Sequence, residues 1–372
     1  MRVTPIFPPG AKAILVGEAS GKEEEAKGVP FIGQTGRELD RLLVQSGLVR
    51  EELAITNVFL DRPPDNDIET NWCISKKEAV ESYKLTRPHL VASYPKFDWP
   101  QTYIWSSLSQ GKYLKPQRLV ELARLKAEIE AAKPNLVVAL GGKALWALYG
   151  TSGIKKLRGA VTECVLVPGV KLLPTWHPAY IMRNWGDRLH LVADLAKVKE
   201  QMEFPEIRRP ERQVWISPTL DDLLAFEELY IDVEWAKLLS FDTETMRGQI
   251  SCISFAPSSK RAITVPFIDK TKPDWNYWST ANEEAEAWKW VRRQLAKPMP
   301  KLAQNGLYDL QYLWRTCGIP VKNYLEDTML LHHALYLELS KDLGFLGSIY
   351  TDEAAWKLMR PRGEDAMERK DD

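Results

Sequence analysis

Four short apolar segments in the first half of the chain alternate with longer segments of helical character. The apolar segments are residues 12–16, 53–58, 136–140 and 170–174. The helical segments are residues 36–47, 116–132 and 188–201. Strands that alternate with helices favour an open, mainly parallel α/β sheet. Because such sheets bind ligands just beyond their strand ends, the residues that follow each apolar segment are candidate site residues.

Polar motifs follow the predicted strands in a fixed order. They are Gly17-Glu18-Ala19-Ser20-Gly21, Gly28-Val29-Pro30-Phe31-Ile32-Gly33-Gln34-Thr35-Gly36, Thr56-Asn57-Val58, Ala139-Leu140-Gly141, Leu157-Arg158-Gly159 and Pro174-Thr175-Trp176-His177-Pro178-Ala179-Tyr180. The first is not a P-loop, because only three residues separate Gly17 from Gly21 and a glutamate follows the lysine. As an ordered set over residues 12–200, these motifs resemble the uracil-DNA glycosylase superfamily, closest to its family 4 branch.

The resemblance implies an enzyme that flips uracil out of DNA and hydrolyses its N-glycosidic bond. Glu18 and His177 would be catalytic, the first acting on the attacking water and the second on the departing base. Phe31 would stack on the base, and Asn57 would bind its edge through an amide that can both donate and accept. Each residue also has an ordinary alternative as a core phenylalanine, a turn cap, a loop histidine or a solvated acid.

Four further residues are expected to bind DNA phosphates. Backbone groups around Gly17 and Gly21 and the side chains of Arg158 and Arg183 are the candidates. Family 4 members carry an iron–sulfur cluster on four cysteines, but Asp61 stands where the third ligand is expected. The chain's cysteines are scattered and form no CxxC pair. We therefore expect no cluster and no other cofactor in this part of the chain.

A charged segment with two prolines, residues 203–212, is predicted to link a first domain at 1–202 to a second at 213–372. The second domain is predicted to contain strands 238–242, 249–256 and 261–266 and helices 281–296, 307–316 and 326–337. Its first strand ends in the pair Asp242 and Glu244, which point to the same face because they are two residues apart. Paired carboxylates bind hard divalent cations through oxygen.

The segment Gln304-Asn305-Gly306-Leu307-Tyr308-Asp309 follows this pair. Together the two motifs resemble the 3′–5′ proofreading exonucleases of family A DNA polymerases, in a phage-like form. The resemblance implies a ribonuclease H-like α/β domain, with Mg²⁺ or Mn²⁺ held by Asp242, Glu244 and Asp309 and with Asn305 on the substrate side. By the same resemblance, Asp327 is expected to be structural or to face the substrate.

The third exonuclease motif, a Tyr or His followed four residues later by Asp, is not found. Tyr350-Thr351-Asp352 has the wrong spacing, and residues 360–372 form a hydrophilic tail that is expected to be disordered. The exonuclease is therefore expected to be incomplete or the chain to be a fragment. Two alternatives follow: a non-catalytic module that binds DNA or docks a DNA polymerase subunit, and the front of a longer phage polymerase.

Composition limits these functions only broadly. The 372 residues suggest two domains, and 50 basic against 50 acidic residues exclude a uniformly basic DNA-binding coat. The N-terminus has no signal segment, and no apolar run approaches the roughly 20 residues of a membrane span. We expect a cytoplasmic protein without a membrane partner, located in the host cytoplasm if it is phage-encoded, with DNA as its substrate.

Overall fold

The computed structural model describes residues 2–86 and 106–353. Among them, residues 2–208 and 344–353 form a first compact unit, and residues 209–343 form a second. The change of unit after residue 208 falls inside the segment that the sequence predicts as a linker. Part of the excursion at 65–115 and the tail at 360–372 lie outside the described residues.

The first unit alternates strands and helices along most of its length. Its strands are β1 (Ala13–Ala19), β2 (Ala54–Phe59), β3 (Cys73–Ser75), β4 (Lys112–Leu114), β5 (Leu136–Leu140), β6 (Thr162–Glu163) and β7 (Lys171–Thr175). Its helices are α1 (Lys22–Lys27), α2 (Gln34–Gln45), α3 (Ile68–Trp72), α4 (Lys76–Thr86), α5 (Val120–Ala132), α6 (Gly142–Tyr149), α7 (Ile154–Leu157), α8 (Pro178–Ile181) and α9 (Arg188–Gln201).

The main sheet of this unit has the order β2-β1-β5-β7-β6 in the described part of the chain. Neighbouring strands run parallel, except that β6 runs antiparallel to β7. The open, mainly parallel sheet predicted from the sequence is therefore confirmed. The carboxyl ends of β1, β2, β5 and β7 meet at one edge, where Gly17 lies opposite Asn57.

Helices cover both faces of this sheet, which explains why its strands are apolar throughout. Val137 and Ala139 of β5 join the core under α5 and α6. Their neighbours Leu136, Val138 and Leu140 point the other way, into the core under α2 and α9. Each buried valine or leucine side chain contributes about 1.5–3 kcal/mol, so the sheet is a stable support for the polar residues at its edge.

The second unit contains β8 (Gln213–Trp215), α10 (Leu220–Phe226), β9 (Leu239–Met246), β10 (Gln249–Ser258), β11 (Arg261–Pro266), α11 (Ala281–Ala296), β12 (Lys301–Ala303), α12 (Leu307–Cys317), β13 (Tyr324–Asp327) and α13 (Thr328–Leu335). Its strand order is β13-β12-β9-β10-β11-β8. Strands β9, β10 and β11 form an antiparallel meander, and β12 runs parallel to β9 and β13. A meander extended by two parallel strands beside its first strand is the ribonuclease H-like arrangement, as predicted.

The predicted helix 326–337 is wrong at its start. Glu326 and Asp327 belong to β13 and pair with Leu302 and Ala303 of β12. Asp327 then caps α13 by accepting hydrogen bonds from the N–H groups of the helix's first turn. The pairing partner lies more than 20 residues away in sequence, so local periodicity does not reveal it. None of the described helices is both long and apolar enough to cross a bilayer.

Residues 344–353 lie in the first unit, although the sequence analysis assigned them to the domain 213–372. They include most of helix α14 (Leu343–Tyr350). Nζ of Lys197 in α9 donates hydrogen bonds to the carbonyl oxygens of Gly159 at 2.9 Å and Ser348 at 2.6 Å. These contacts join distant parts of the chain, so the boundary cannot be recognised from composition.

Candidate active site

The residues expected to form the base-binding pocket lie where β1 and β2 end side by side. Gly17 is paired in register with Asn57, and the ring of Phe31 lies over the same position. A Cβ atom added to Gly17 would lie 2.5 Å from Cζ of Phe31, and nearer still to Oδ1 of Asn57. Glycine is therefore required here because any larger residue would overlap the ring and the amide.

Asn57 presents an unpaired acceptor to this pocket. Its side chain is 2% exposed, and its Oδ1 has no hydrogen-bond partner among the described residues. The backbone at this position is fixed, since Arg124 donates to the carbonyl oxygens of Asn57 at 2.7 Å and Val58 at 2.9 Å. A buried unpaired carbonyl costs about 1–3 kcal/mol, a cost that a ligand with a matching N–H would remove.

Phe31 is held in an uncommon backbone conformation. Its φ is 51°, in the left-handed region that a bulky residue rarely adopts. Nη2 of Arg50 donates to the carbonyl oxygens of Pro30 and Phe31, both at 3.0 Å, and Nη1 of Arg50 binds Asp40 at 2.6 Å. These bonds stabilise the turn that carries the ring into the pocket, and strain of this kind is common at functional sites.

His177 lies across the pocket, with its ring centroid 5.8 Å from that of Phe31. Its Nδ1 accepts a hydrogen bond from the N–H of Ala179 at 3.1 Å. Burial, and then the positive charge of Arg183, lower the pKa of His177 to about 4. The imidazole is therefore neutral near pH 7 and carries its proton on Nε2, where it is a donor.

Glu18 follows Gly17 on β1 and is half-buried. Burial raises the pKa of its carboxyl group, Lys143 and Arg183 lower it, and Glu69 raises it. Nζ of Lys143 lies 3.9 Å from Oε1 of Glu18 and 3.2 Å from Oε1 of Glu69. Sequence reasoning missed both of these neighbours, since neither belongs to a motif that marks the site.

These side chains can act together on a planar base joined to a sugar. An aromatic ring and a buried amide lie against Gly17, a neutral imidazole donor lies beside the ring, and the carboxylate of Glu18 follows Gly17 on β1. Arg183 is exposed and close enough for its charge to act on both His177 and Glu18. It therefore remains a candidate for binding a phosphate beside the pocket.

The other expected phosphate-binding positions do not fit that role. Gly17 lines the pocket itself. Gly21 precedes the short helix α1, but a Cβ added there would lie 2.5 Å from Oε2 of Glu24. The carboxylate of Glu24 would repel a phosphate at this turn.

Arg158 is a clear correction to the sequence analysis. It is 5% exposed, and its guanidinium binds both carboxylate oxygens of Asp194 at 2.7 and 3.1 Å. Nη1 of Arg158 also donates to Oγ of Ser348 at 2.9 Å. A buried guanidinium with these bonds has no access to DNA, so Arg158 stabilises the interior of the first unit instead.

The residues near Asp61 do not suit an iron–sulfur cluster. Asp61 forms an ion pair with Arg118 at 3.1 Å, and the guanidinium of Arg118 lies 4.0 Å from the ring centre of Trp72. Cys73, which follows Trp72, is buried, and burial raises the pKa of its thiol to about 11. Clusters need thiolate ligands, and a carboxylate–guanidinium pair supplies none.

The carboxylates of the second unit are only partly assembled. Asp242 and Glu244 are exposed on one face of β9, opposite Ser254 and Cys252 of β10. Asp309 is buried and accepts hydrogen bonds from the N–H and Oγ1 of the intervening Thr243 at 2.9 and 2.5 Å. Burial also raises the pKa of Asp309. In the part of the chain that is described, no three His, Cys, Asp or Glu side chains are grouped to hold a metal, so the expected trio is not formed.

Asn305 and Asp327 lie beside this region. Asn305 is exposed, with a φ of 55°, at the turn before α12. Asp327 fixes that turn by accepting from the N–H of Asn305 at 3.1 Å and of Gly306 at 2.9 Å, and it also accepts from the hydroxyl of Tyr324 at 2.5 Å. Of the two roles expected for Asp327, the contacts therefore support the structural one.

Comparison with known proteins gives a family match for the first unit. A family model described as the uracil DNA glycosylase superfamily matches residues 4–201. A type-4 uracil-DNA glycosylase of Thermotoga maritima is 30% identical over 50% of this chain and 76% of its own length. A type-4 uracil-DNA glycosylase of Archaeoglobus fulgidus is 29% identical over 51% of this chain and 76% of its own length.

Among solved structures, similarities to exonuclease domains are found at low identity. The EXD2 exonuclease domain, soaked in Mn and GMP, is 16% identical and has a TM-score of 0.26, over 43% of this chain and 83% of that one. The Aedes aegypti Nibbler EXO domain is 14% identical and has a TM-score of 0.30, over 42% of this chain and 81% of that one. The ribonuclease H-like fold of the second unit is assigned from its own strand order.

Proposed function

The chain belongs to the uracil-DNA glycosylase superfamily, and on that premise we propose that its first unit hydrolyses the N-glycosidic bond of uracil in DNA. The observation that carries this proposal is the unpaired Oδ1 of Asn57, buried next to the ring of Phe31, which in turn lies 5.8 Å from the ring of His177. Uracil presents an N3–H donor next to its O4 acceptor, and an amide pairs with both. With the amide in this orientation, cytosine makes neither hydrogen bond, because it has no proton at N3 and carries an amino donor at C4.

Base flipping would bring uracil into the pocket against the ring of Phe31. As the C1′–N1 bond breaks, its electron pair moves to the base, and the sugar becomes cationic. Nε2–H of His177 donates a hydrogen bond to the developing anion without itself becoming charged. The carboxylate of Glu18 stabilises the cationic sugar and orients water, whose oxygen bonds to C1′ while its proton passes to the carboxylate.

For the second unit we propose DNA as the substrate and Mg²⁺ or Mn²⁺ as the cofactor, bound first by Asp242 and Glu244. Two carboxylates on one strand face supply oxygen ligands of the kind these ions prefer. Exonuclease chemistry would further require Asp309 to leave Thr243 and join the pair. Isothermal titration with Mn²⁺ tests the first step, since the doubly substituted Asp242→Asn, Glu244→Gln protein should lose binding that Asp309→Asn retains. Equal binding by all three proteins would contradict this site.

The glycosylase is tested with a 5′-labelled duplex that contains one uracil, incubated in EDTA and separately in Mg²⁺. We expect alkali-sensitive cleavage at the uracil in both tubes, and no cleavage of the matched duplex with thymine at that position. Glu18→Gln and His177→Ala should each greatly reduce base release. Intact uracil DNA with the wild-type protein would reject the glycosylase, whereas shortened products in Mg²⁺ alone would support exonuclease activity of the second unit.

A further inference from the structure

A lysine stands between two glutamates, one of which is Glu18. Lys143 lies in the first turn of α6, directly after the turn at the end of β5, and Glu69 lies on α3. Nζ of Lys143 is 3.2 Å from Oε1 of Glu69 and 3.9 Å from Oε1 of Glu18. The lysine side chain is 20% exposed, compared with 38% for Glu18 and 42% for Glu69. It is the least exposed of the three charges.

The elements around Glu18 contribute opposing charges. Lys143 on α6 and Arg183 after α8 favour its carboxylate form, and Glu69 on α3 disfavours it. Arg183 is exposed, and the Coulomb energy of an exposed charge is reduced by solvent and salt. Lys143 is therefore the cation best placed to act on Glu18, and Glu69 is the group that competes with Glu18 for it.

We propose that Lys143 is a positioning residue of the glycosylase reaction, which orients the Glu18 carboxylate and keeps it anionic, and that Glu69 limits this effect by binding the same ammonium group. This inference rests on the proposed function of the first unit. It also gives a role to part of the excursion at 65–115, because α3 brings Glu69 to the reaction site.

Lys143 and Glu69 should have opposite effects on the pH dependence of base release. Glu18 is active as the carboxylate, so activity is lost as pH falls through its pKa. Removal of the lysine charge favours protonation of Glu18 and should move the acid limb of the rate profile to higher pH. Removal of the Glu69 charge frees the ammonium group for Glu18 and removes a like charge, which should move the acid limb to lower pH.

The experiment measures single-turnover release of uracil from a labelled duplex between pH 4.5 and 8.5. Lys143→Met should shift the acid limb upward, Glu69→Gln should shift it downward, and Lys143→Arg should restore a profile close to wild type. Lys126→Met is the matched control, because Lys126 pairs with Glu130 at 3.7 Å on the surface of α5. It should leave the profile unchanged.

Shifts in the same direction, or lower rates with an unmoved acid limb, would overturn the proposal. If the Lys143→Met variant does not fold, the Glu69→Gln variant alone tests the proposal. An acid limb that is not shifted in Glu69→Gln would then contradict the competition between Glu69 and Glu18 for Lys143. Titration of the Glu18 carboxyl carbon by NMR, in the wild type and in Glu69→Gln, separates this inference from the proposed function. An inactive wild type would reject the glycosylase, whereas an unchanged Glu18 titration would reject the role of the ion pair.

Discussion

Asn57 shows how a single residue can be costly to the fold and useful to the site. Asn57→Ala removes the cost of the unpaired Oδ1 but also removes buried contacts, so the two effects offset and the free energy of unfolding should change by no more than about 1 kcal/mol, while kcat/KM for uracil falls about 10- to 100-fold. Urea unfolding and base-release assays measure the two quantities. Asn135→Ala is the control, since Asn135 donates to the carbonyl of Met202 at 2.8 Å. It should lose stability and keep its activity per folded molecule.

His177 should leave a signature in the pH dependence of stability. Its pKa is lowered by burial from 6.5 to about 4 in the folded protein. Between these values the unfolded chain binds a proton that the folded chain does not, so this residue's contribution to stability is present above about pH 6.5 and declines as pH falls towards 4. Urea midpoints measured from pH 4 to 7 should fall less steeply in His177→Gln than in wild type. Parallel slopes would contradict the assigned neutral state.

At the scale of elements, the register between β1 and β2 determines whether a base can enter. Gly17→Ala would place a methyl group against Phe31 and Asn57, and overlap of this kind costs about 1–3 kcal/mol. We expect uracil release to fall by at least about tenfold. Gly186→Ala is the matched control, because a Cβ there would meet no heavy atom within 4 Å and should leave the rate unchanged. Equal rates for the two variants would place the base elsewhere.

The elements show what a sequence of this kind reveals and what it hides. The strands at 136–140 and 249–256 and the helices at 188–201 and 281–296 were predictable to within about two residues, because their apolar patterns are local. The strand at residues 326–327 was not predictable, because it depends on pairing with β12. Motif order predicted Glu18, Phe31, Asn57 and His177 as site residues, but Lys143 and Glu69 belong to no motif. Arg158 was misassigned because a buried arginine and a DNA-binding arginine are identical in sequence.

For the molecule as a whole, residues 344–353 belong to the first unit, where Phe345, Leu346 and Ser348 are buried. Lys197→Met would remove hydrogen bonds to the carbonyl oxygens of Gly159, Ser348 and Thr351. Unpaired buried carbonyls cost about 1–3 kcal/mol, so we expect a Tm lowered by several degrees and an earlier thermal loss of glycosylase activity. Lys199→Met, an exposed position on the same helix, is the control and should melt like wild type. Identical melting of both variants would argue against this role.

The packing of residues 344–353 against the first unit has a consequence for synthesis. The ribosome makes residues 2–208 first, but Arg158 and Lys197 acquire their partners on α14 only after the whole second unit has been translated. At about 5–20 residues per second, that interval is on the order of ten seconds. Throughout it, Arg158 lacks the hydroxyl of Ser348 and Lys197 lacks the carbonyl oxygens of Ser348 and Thr351, although Asp194 and Gly159 are already present. The order of synthesis therefore delays completion of the enzyme until the second unit has been made.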